Sequence, residues 1–363
     1  MKRESVFARV EELRKQITRA KLDGYIVFDP KNVYYFTGFK DISNATLGLI
    51  IPAEGELDLW TYPLSHTLAK EEAKNCVVNN VESGEKLYQK VAEKIGGMGF
   101  TAIGFDKMSA DEYLMLSKTI PKVKLNQKSD FVLGLRGVKS REEINLIKEA
   151  AKLADIGAEC GIEVVKSGMR EYEVAAEIEY EMRRNGSEGV AFETLVASGP
   201  RSALPHGIST SRIIKKGELV VMDLGATYQG YRSDITRTLI VGQPSDKQKK
   251  IFEIVLKAQE IAFQKIRSGI SGRDVDAVCR EFIKKSGYGD NFIHGLGHGV
   301  GLDVHDPPRL SPSSKDVLFA GNVVTDEPGI YIEGYGGVRI EDMVLVKEEG
   351  AQMLTKAKKP VLA

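Results

Sequence analysis

Hydrophobic positions along the first third of the chain alternate between helical and strand spacing. Near the N-terminus, apolar residues recur at helical spacing among charged neighbours, at Phe7, Val10, Leu13 and Ile17. This pattern predicts an amphipathic helix and not a secretory signal. Short apolar runs at 25–28, 47–51 and 57–61 predict buried strands, and the spacing over 87–95 predicts another helix. Residues 1–125 are therefore expected to form a small α/β domain.

A second domain is expected over residues 126–363. The polar, basic stretch PKVKLNQKSD at 121–130 separates it from the first, and we place the boundary near residue 125. Ser140, with Glu143 three places later, is the signature of a capping box at the start of a helix. The apolar face of that helix consists of Ile144, Ile147, Ala151, Ala154 and Ala158.

The second domain contains an internal repeat. The stretch KSGMREYEVAAEIEYEMRRNG at 166–186 aligns with RSGISGRDVDAVCREFIKKSG at 267–287. Each copy follows a helical pattern and precedes two strand patterns joined by a turn rich in glycine and tyrosine. A duplicated helix-and-hairpin unit of this kind predicts two halves related by a pseudo-twofold axis.

Each of the four strand patterns carries one acid. Asp223 and Asp234 lie in the first copy, and Glu327 and Glu341 lie in the second. A carboxylate in a core strand is costly unless it is paired or bound to a metal. For any one acid, a strand end that reaches solvent or an arginine is an equal alternative, and a single pair could share a proton. Four acids at repeat-related positions favour convergence, and two divalent metals would neutralise their repulsion.

The glycine-rich stretch HGLGHGVG at 294–301 could be a phosphate cradle, a metal site or a flexible turn. It lacks both the G-x-G-x-x-G spacing and a Walker lysine, which argues against a phosphate cradle. Glycine at every second place is typical of a strand face that another backbone or a ligand approaches closely. His298, in the middle of GHG, is the better candidate ligand, and His294 at the edge is expected to be structural.

Composition excludes several classes of function. The 51 Lys and Arg residues balance 51 Asp and Glu residues, so net charge gives no reason to expect binding to nucleic acid or to an anionic membrane. No apolar run approaches the ~18 residues of a membrane span. The cysteines are Cys76, Cys160 and Cys279, too scattered for a disulfide framework or a zinc knuckle. We expect a cytoplasmic protein.

With these residues in order, the sequence resembles the pita-bread metallopeptidases, the family of methionine aminopeptidase, aminopeptidase P and prolidase. The matching stretches are VVMDLGATYQGYRSDITRT, HGLGHGVGLDVHDPP, TDEPGIYI and GGVRIEDMVLV, with LRGVKSREEI at 135–144. VYYFTGF at 33–39 resembles the N-terminal domain of the proline-specific branch. The implied fold is a small creatinase-like α/β domain followed by a pseudo-twofold pita-bread catalytic domain.

The resemblance implies a dinuclear metal centre with five ligands. Asp223 would hold one metal, and His298 and Glu327 would hold the other. Asp234 and Glu341 would bridge both metals. An oxygen-rich set with one imidazole suits Mn²⁺ or Co²⁺, with Zn²⁺ and Fe²⁺ as alternatives. A water between two such cations loses a proton near neutral pH and would supply the attacking hydroxide.

The resemblance also implies roles around the metals. Glu327 would carry a proton from the nucleophile to the leaving amine. His305 would donate a hydrogen bond to the tetrahedral intermediate, and His206 would contact the residue after the cut. For either histidine alone, a surface residue in a turn is the other interpretation. Arg339 would orient the acids or the substrate terminus, with a structural salt bridge to the carboxylates as an equal alternative. The sequence departs from the family pattern His-Glu-x-Pro, because Asp306 stands in place of the glutamate.

The implied activity is hydrolysis of the peptide bond before proline. The N-terminal domain disfavours methionine aminopeptidase, and the complete ligand set disfavours creatinase and a non-catalytic pita-bread binding module. Xaa-Pro dipeptidase (prolidase) is favoured, and Xaa-Pro aminopeptidase (aminopeptidase P), acting on longer peptides, is the alternative. The expected substrates are small peptides with proline second, and the family resemblance implies a homodimer.

Overall fold

The computed structural model describes residues 2–43 and 47–360. The chain divides into two compact units, 1–135 and 136–363. Within the described ranges, no helix combines the length and the apolar character that crossing a membrane requires.

The first unit is built on a six-stranded mixed sheet. Its elements are α1 (Arg3–Arg19), β1 (Gly24–Val27), α2 (Pro30–Thr37), β2 (Gly48–Pro52), β3 (Leu57–Thr61), α3 (Pro63–Glu72), β4 (Cys76–Asn80), α4 (Leu87–Gly97), β5 (Ala102–Phe105), α5 (Ala110–Thr119) and β6 (Lys124–Gln127), followed by α6 (Ser129–Gly137). The strand order is β4-β3-β2-β1-β5-β6. The predicted strands and both predicted helices are present.

Two details of the first unit differ from the sequence analysis. Phe7 is 55% exposed, and Val6 takes its place in the core, because the buried stripe of α1 runs through Val6 and Val10. The polar stretch after Ile120 is not a linker throughout. Its residues 124–127 form β6, which pairs in parallel with β5, so the first sheet continues past residue 125 and the compact units meet at 135/136.

The second unit repeats one succession of elements, two helices followed by antiparallel strands. The first copy contains α7 (Arg141–Val164), α8 (Glu171–Arg184), β7 (Gly189–Val190), β8 (Leu195–Ser198), β9 (Leu219–Leu224), β10 (Ala226–Tyr228), β11 (Tyr231–Arg232) and β12 (Ile235–Ile240). The second copy contains α9 (Asp246–Lys265), α10 (Gly272–Ile283), β13 (Gly297–Gly299), β14 (Asp306–Leu310), β15 (Val323–Asp326), β16 (Gly329–Ile332), β17 (Gly336–Arg339), β18 (Asp342–Val346) and β19 (Ala351–Met353). Antiparallel pairing of β9 with β12 and of β15 with β18 confirms the predicted duplicated hairpin.

Helix α7 begins where the capping box predicts. The Ser140 hydroxyl accepts a hydrogen bond from the Glu143 amide at 3.3 Å, and the Glu143 carboxylate accepts one from the Ser140 amide at 3.0 Å. Small residues on its inner face allow close packing, because a Cβ added at Gly157 would lie 2.7 Å from the Met182 side chain. The helix thereby supports the sheet β12-β9-β8, in which β9 contains Asp223 and β12 begins directly after Asp234.

Candidate metal centre

The four repeat-related acids stand at or near strand ends. Asp223 is the penultimate residue of β9, Asp234 immediately precedes β12, and Glu327 immediately follows β15. Glu341 lies between β17 and β18. Three of the acids are therefore outside the regular strands in which the sequence analysis placed them. For Glu327 the reason is local, since the next residue, Pro328, has no N–H to donate to a strand ladder.

One backbone bridge joins the two halves at this point. Thr236, in β12, pairs with Glu341 as an isolated antiparallel bridge, and the Glu341 amide donates to the Thr236 carbonyl at 3.1 Å. The Thr236 hydroxyl also donates to the Glu341 carboxylate at 2.6 Å. The bridge therefore brings the acids of the first hairpin next to those of the second.

We use the name carboxylate–histidine cluster for five residues that meet here: Asp223, Asp234, His298, Glu327 and Glu341. Ligand atoms of Asp234, His298 and Glu341 all lie within 4.8 Å of one another. The His298 Nε2 atom is 3.2 Å from a Glu327 carboxylate oxygen and 3.7 Å from one of Asp234. Asp223 joins the group through Arg339, whose Nη2 atom lies 2.5 Å from its carboxylate.

The glycines around His298 are required by neighbouring backbones. Strand β13 lies between β14 and β15, and a Cβ at Gly297 or Gly299 would lie 2.2 Å from the carbonyl oxygen of Thr325 or Pro307, respectively. The His298 amide donates to the Thr325 hydroxyl at 3.0 Å. Its Nδ1 lies 3.1 Å from the Gly299 carbonyl, which can only accept, so Nε2 is left to face the acids.

His294 has both ring nitrogens engaged with protein groups, in agreement with its expected structural role. Nδ1 lies 2.7 Å from the Gly295 carbonyl, and Nε2 lies 2.9 Å from the Tyr331 hydroxyl. That hydroxyl also accepts from Arg339 at 2.8 Å. His294 thus supports Arg339 through Tyr331.

Burial places the carboxylates under strong electrostatic strain. The pKa of Asp234 is raised well above its ordinary value by burial and by the charges of Glu341, Asp223 and Glu327. Burial and the charges of Glu327 and Asp223 likewise raise the pKa of Glu341. Burial also acts to raise the pKa of Glu327, but its hydrogen bond to His298 and nearby positive charges lower it to about 2.

The donors of the cluster fit divalent cations. The Asp223 Oδ1 atom is buried and has no hydrogen-bond partner among the described residues. The buried carboxylates of Asp234 and Glu341 and the partly buried ones of Asp223 and Glu327 face the guanidinium of Arg339 and one imidazole, so negative charge is left uncompensated. Carboxylate oxygens with a single imidazole nitrogen are the ligand types of Mn²⁺, Co²⁺, Fe²⁺ and Zn²⁺ sites. A bound cation would compensate the charge that burial leaves without solvent.

The cluster lines a cavity of about 750 Å³, a size typical of small-ligand sites. Its apolar walls include Phe192, Leu195, Leu204, Ile293 and Val304. His206 and His305 both line it, and the His305 ring lies 4.2 Å from the His298 ring. Burial and the charges of His298 and Arg309 lower the pKa of His305 to about 4, so its ring is neutral at pH 7.

Several site residues escaped the sequence analysis. The Thr325 hydroxyl donates to Glu327 at 3.0 Å, as that of Thr236 does to Glu341. Thr236 and Thr325 each lie two residues from an acid of the cluster, so the period of a strand could have indicated them. Tyr331 and the exposed Arg309, which lines the cavity, have no such signal, because their positions depend on how β14 and β16 pack.

The family-pattern departure at Asp306 also has a structural context. Asp306 is buried, and its carboxylate lies 2.6 Å from the Nη2 atom of Arg136. The same guanidinium nitrogen lies 2.6 Å from Asp303. The shortened acid therefore forms a buried ion pair at the residue that follows His305.

Comparison with known proteins gives the family. The sequence profile of metallopeptidase family M24 matches residues 145–348, more than half of the chain. The chain belongs to metallopeptidase family M24. The profile of the creatinase/prolidase N-terminal domain matches residues 9–138 of this M24 peptidase.

Relatives of this M24 peptidase extend over nearly its whole length. It is 44% identical to the Xaa-Pro dipeptidase of Pyrococcus furiosus, over 98% of this chain and 99% of that protein. The structure of the Xaa-Pro dipeptidase from Bacillus anthracis superimposes with a TM-score of 0.93 at 36% identity, covering 98% of this chain and 99% of that one. The X-Pro aminopeptidase of Thermotoga maritima gives 0.87 at 35% identity, covering 95% and 99%. The predicted family and fold class are confirmed.

Proposed function

We propose that this M24 peptidase is a metal-dependent Xaa-Pro dipeptidase. The observation that carries the proposal is the carboxylate–histidine cluster, set in a cavity that is also lined by His206, His294, His305 and the exposed Arg309. The identity to a dipeptidase of that name over nearly the full length supports the same activity. The similarity to an X-Pro aminopeptidase keeps that activity as the second candidate.

The five residues of the carboxylate–histidine cluster would hold two divalent cations, for which Mn²⁺ and Co²⁺ fit the ligand set best and Zn²⁺ and Fe²⁺ are alternatives. When bound, the cations would polarise the scissile carbonyl and activate a water molecule. Thr236 and Thr325 fix the orientation of Glu341 and Glu327 by hydrogen bonds. Arg339 holds Asp223 in place, as residues behind metal ligands commonly do.

The remaining residues of the cavity would handle the peptide. His305, neutral at pH 7, would donate a hydrogen bond to the oxygen of the scissile carbonyl as negative charge develops there. His206 would contact the proline side of the substrate. Glu327, close to His298, would pass the proton to the leaving proline nitrogen.

Arg309 is the feature that favours a dipeptide over a longer peptide. In an Xaa-Pro dipeptide the free carboxylate belongs to the proline itself, directly beyond the scissile bond. Among the described residues that line the cavity, Arg309 and the buried Arg339 are the arginines, and no lysine is among them. Because Arg339 is committed to Asp223, Arg309 is the side chain available for the carboxylate, which guanidinium binds well.

The test compares Leu-Pro, Leu-Pro amide and Leu-Pro-Gly after chelation and restoration of Mn²⁺ or Co²⁺. We expect kcat/KM for Leu-Pro to exceed that for the amide about 30-fold, the value of one charge-assisted pair of ~2 kcal/mol. Arg309→Met should remove most of this ratio, while the exposed Arg273→Met on α10 should keep it. Equal cleavage of Leu-Pro and Leu-Pro-Gly would instead mean an Xaa-Pro aminopeptidase.

The cytoplasmic location and the homodimeric state of this M24 peptidase stay predictions. The three cysteines are unpaired, which supports a reducing, cytoplasmic location. The homodimer rests on the family resemblance alone.

A further inference from the structure

A buried carboxylate outside the carboxylate–histidine cluster accepts hydrogen bonds from both ends of a loop that lines the cavity. We define the His206 loop as residues 199–209. Glu171, the first residue of α8, is 0% exposed. One of its oxygens accepts hydrogen bonds from the amide and hydroxyl of Ser198, both at 2.8 Å. The other accepts from the amide and hydroxyl of Thr210 at 3.1 and 2.6 Å. Glu171 therefore holds the residues that immediately precede and follow the loop.

A fifth donor extends this support into the loop. The guanidinium of Arg201 forms an ion pair with Glu171, and its other nitrogen donates to the Ile208 carbonyl at 2.7 Å. Within the loop, the Gly207 amide donates to the Leu204 carbonyl at 3.0 Å. The path from Glu171 through Arg201 thus reaches the turn that carries His206.

His206 depends on this support because it has little of its own. Its side chain is exposed and makes no hydrogen bond with any residue that the structure describes. Leu204, Pro205, His206 and Gly207 nevertheless line the cavity. The position of the imidazole is therefore set by the backbone of the loop.

The internal repeat shows that the helix itself does not need this glutamate. In the second copy the equivalent position, at the start of α10, is Gly272. At that position the backbone of α10 packs directly against the backbone of β14, since a Cβ at Gly272 would lie 2.1 Å from the Arg309 carbonyl oxygen. In the first copy a charged side chain with five donors fills the same position. A carboxylate at a helix N-terminus is favoured by the helix dipole, and hydrogen bonds to a carboxylate are among the stronger ones in proteins.

We propose that Glu171 is a positioning residue, which fixes the His206 loop against the cavity and so sets the affinity for the substrate. The kinetic part of this inference rests on the proposed peptidase function. The structural part concerns the loop alone and can be measured without activity.

The first test measures hydrogen–deuterium exchange of the loop in the full-length protein. Glu171→Gln keeps the shape of the side chain but replaces one accepting oxygen with an NH₂ group, which can only donate. The donors of Ser198 or of Thr210 would then lose their acceptor. We expect exchange over 199–209 to become about tenfold faster. The matched control is Asp106→Asn in the first unit, a buried carboxylate that accepts from the amides of Phe28, Asp29 and Lys107 and from the Asn32 side chain. Unchanged exchange over 199–209 in Glu171→Gln would overturn the inference.

The second test separates positioning from general stability by kinetics on Leu-Pro. Glu171→Gln should raise KM about tenfold with kcat within about threefold, and Asp106→Asn should leave KM unchanged. In a His206→Ala background, Glu171→Gln should cause no further loss of kcat/KM, because the two residues act through one contact. Additive losses would contradict the inference. Thr210→Val, which removes one donor, is the milder variant should Glu171→Gln not fold, and it should raise KM in the same direction. A wild-type protein that cleaves no Xaa-Pro peptide would refute the proposed function, and the exchange measurement would still decide the role of Glu171.

Discussion

Asp234 illustrates how a carboxylate of the metal centre can destabilise the folded protein when no metal is bound. Asp234 is 5% exposed, and the His298 ring lies 3.7 Å from its carboxylate. Burial and three neighbouring acids raise its pKa, so ionisation of this group destabilises the folded state when no metal is bound. Asp342 is equally buried but lies 2.8 Å from the Arg237 guanidinium. The two acids should therefore respond in opposite directions when their charge is removed.

Replacing Asp234 with asparagine tests this contrast. After chelation, Asp234→Asn should raise the free energy of unfolding by about 1–3 kcal/mol, because a poorly compensated buried charge is removed. Asp342→Asn should lower it by about 3 kcal/mol, since the buried Arg237 loses its partner. Chemical denaturation with and without chelator measures both. With metal restored, Asp234→Asn should lose activity at least ~100-fold. A similar loss of metal-free stability in both variants would rule out the charge argument.

The sequence predicts that the four acids of the carboxylate–histidine cluster converge because the repeat aligns them in pairs, and the alternating glycines single out His298. Arg309 and Glu171 could not be identified from the sequence. Each is one charged residue among 102 in a chain whose charge is balanced, and the role proposed for each depends on groups that the fold places around it. Residues whose partners are distant in sequence leave no periodic signal.

Among the secondary-structure elements, β13 illustrates a constraint that the sequence does show. Alternate glycines predict a strand face under close approach, and the approaching groups are the backbones of β14 and β15. The ladder between β13 and β14 shifts register between His298 and Gly299, an irregularity that is typical next to active sites because it redirects a side chain. The sequence could not show which strands approach, since alternating glycines indicate a crowded strand face but not the strands that crowd it.

Gly297→Ala tests this constraint. The new methyl group would lie 2.2 Å from the Thr325 carbonyl oxygen, so β13 and β15 must separate by roughly 1 Å, and the bond from the His298 amide to Thr325 is lost. We expect kcat/KM to fall about 100-fold and the free energy of unfolding to fall by about 2–3 kcal/mol. Gly134→Ala is the control, because its Cβ would contact nothing within 4 Å and should be neutral or stabilise α6 by up to ~1 kcal/mol. Wild-type kcat/KM in Gly297→Ala would show that the spacing of β13 and β15 does not position His298.

At the scale of the whole molecule, the sequence predicts two domains but not where the first one ends. The edge strand β6 reads Lys-Leu-Asn-Gln, a polar composition that is common on exposed strand edges and hard to distinguish from a linker. Each unit nevertheless has a hydrophobic core of its own. That of the first unit includes Ile26, Ile50 and Ile103, and those of the second surround Val220 and Val324.

Separate cores lead to a prediction about metal removal. All five residues of the carboxylate–histidine cluster belong to the second unit, whereas the single tryptophan, Trp60, packs against the core of the first. Metal present at 1,000 times its Kd stabilises the unit that binds it by about 4 kcal/mol, which corresponds to roughly 8–16 °C for a unit of this size. Chelation should therefore lower the midpoint temperature of the second unit's thermal unfolding, followed by far-UV circular dichroism, by about that much. The midpoint of the first unit, followed by Trp60 fluorescence, should not change. Trp60→Phe, which should abolish the fluorescence signal, confirms its source. An equal shift of both transitions would mean that the two units unfold together, and that the metal centre stabilises the whole chain.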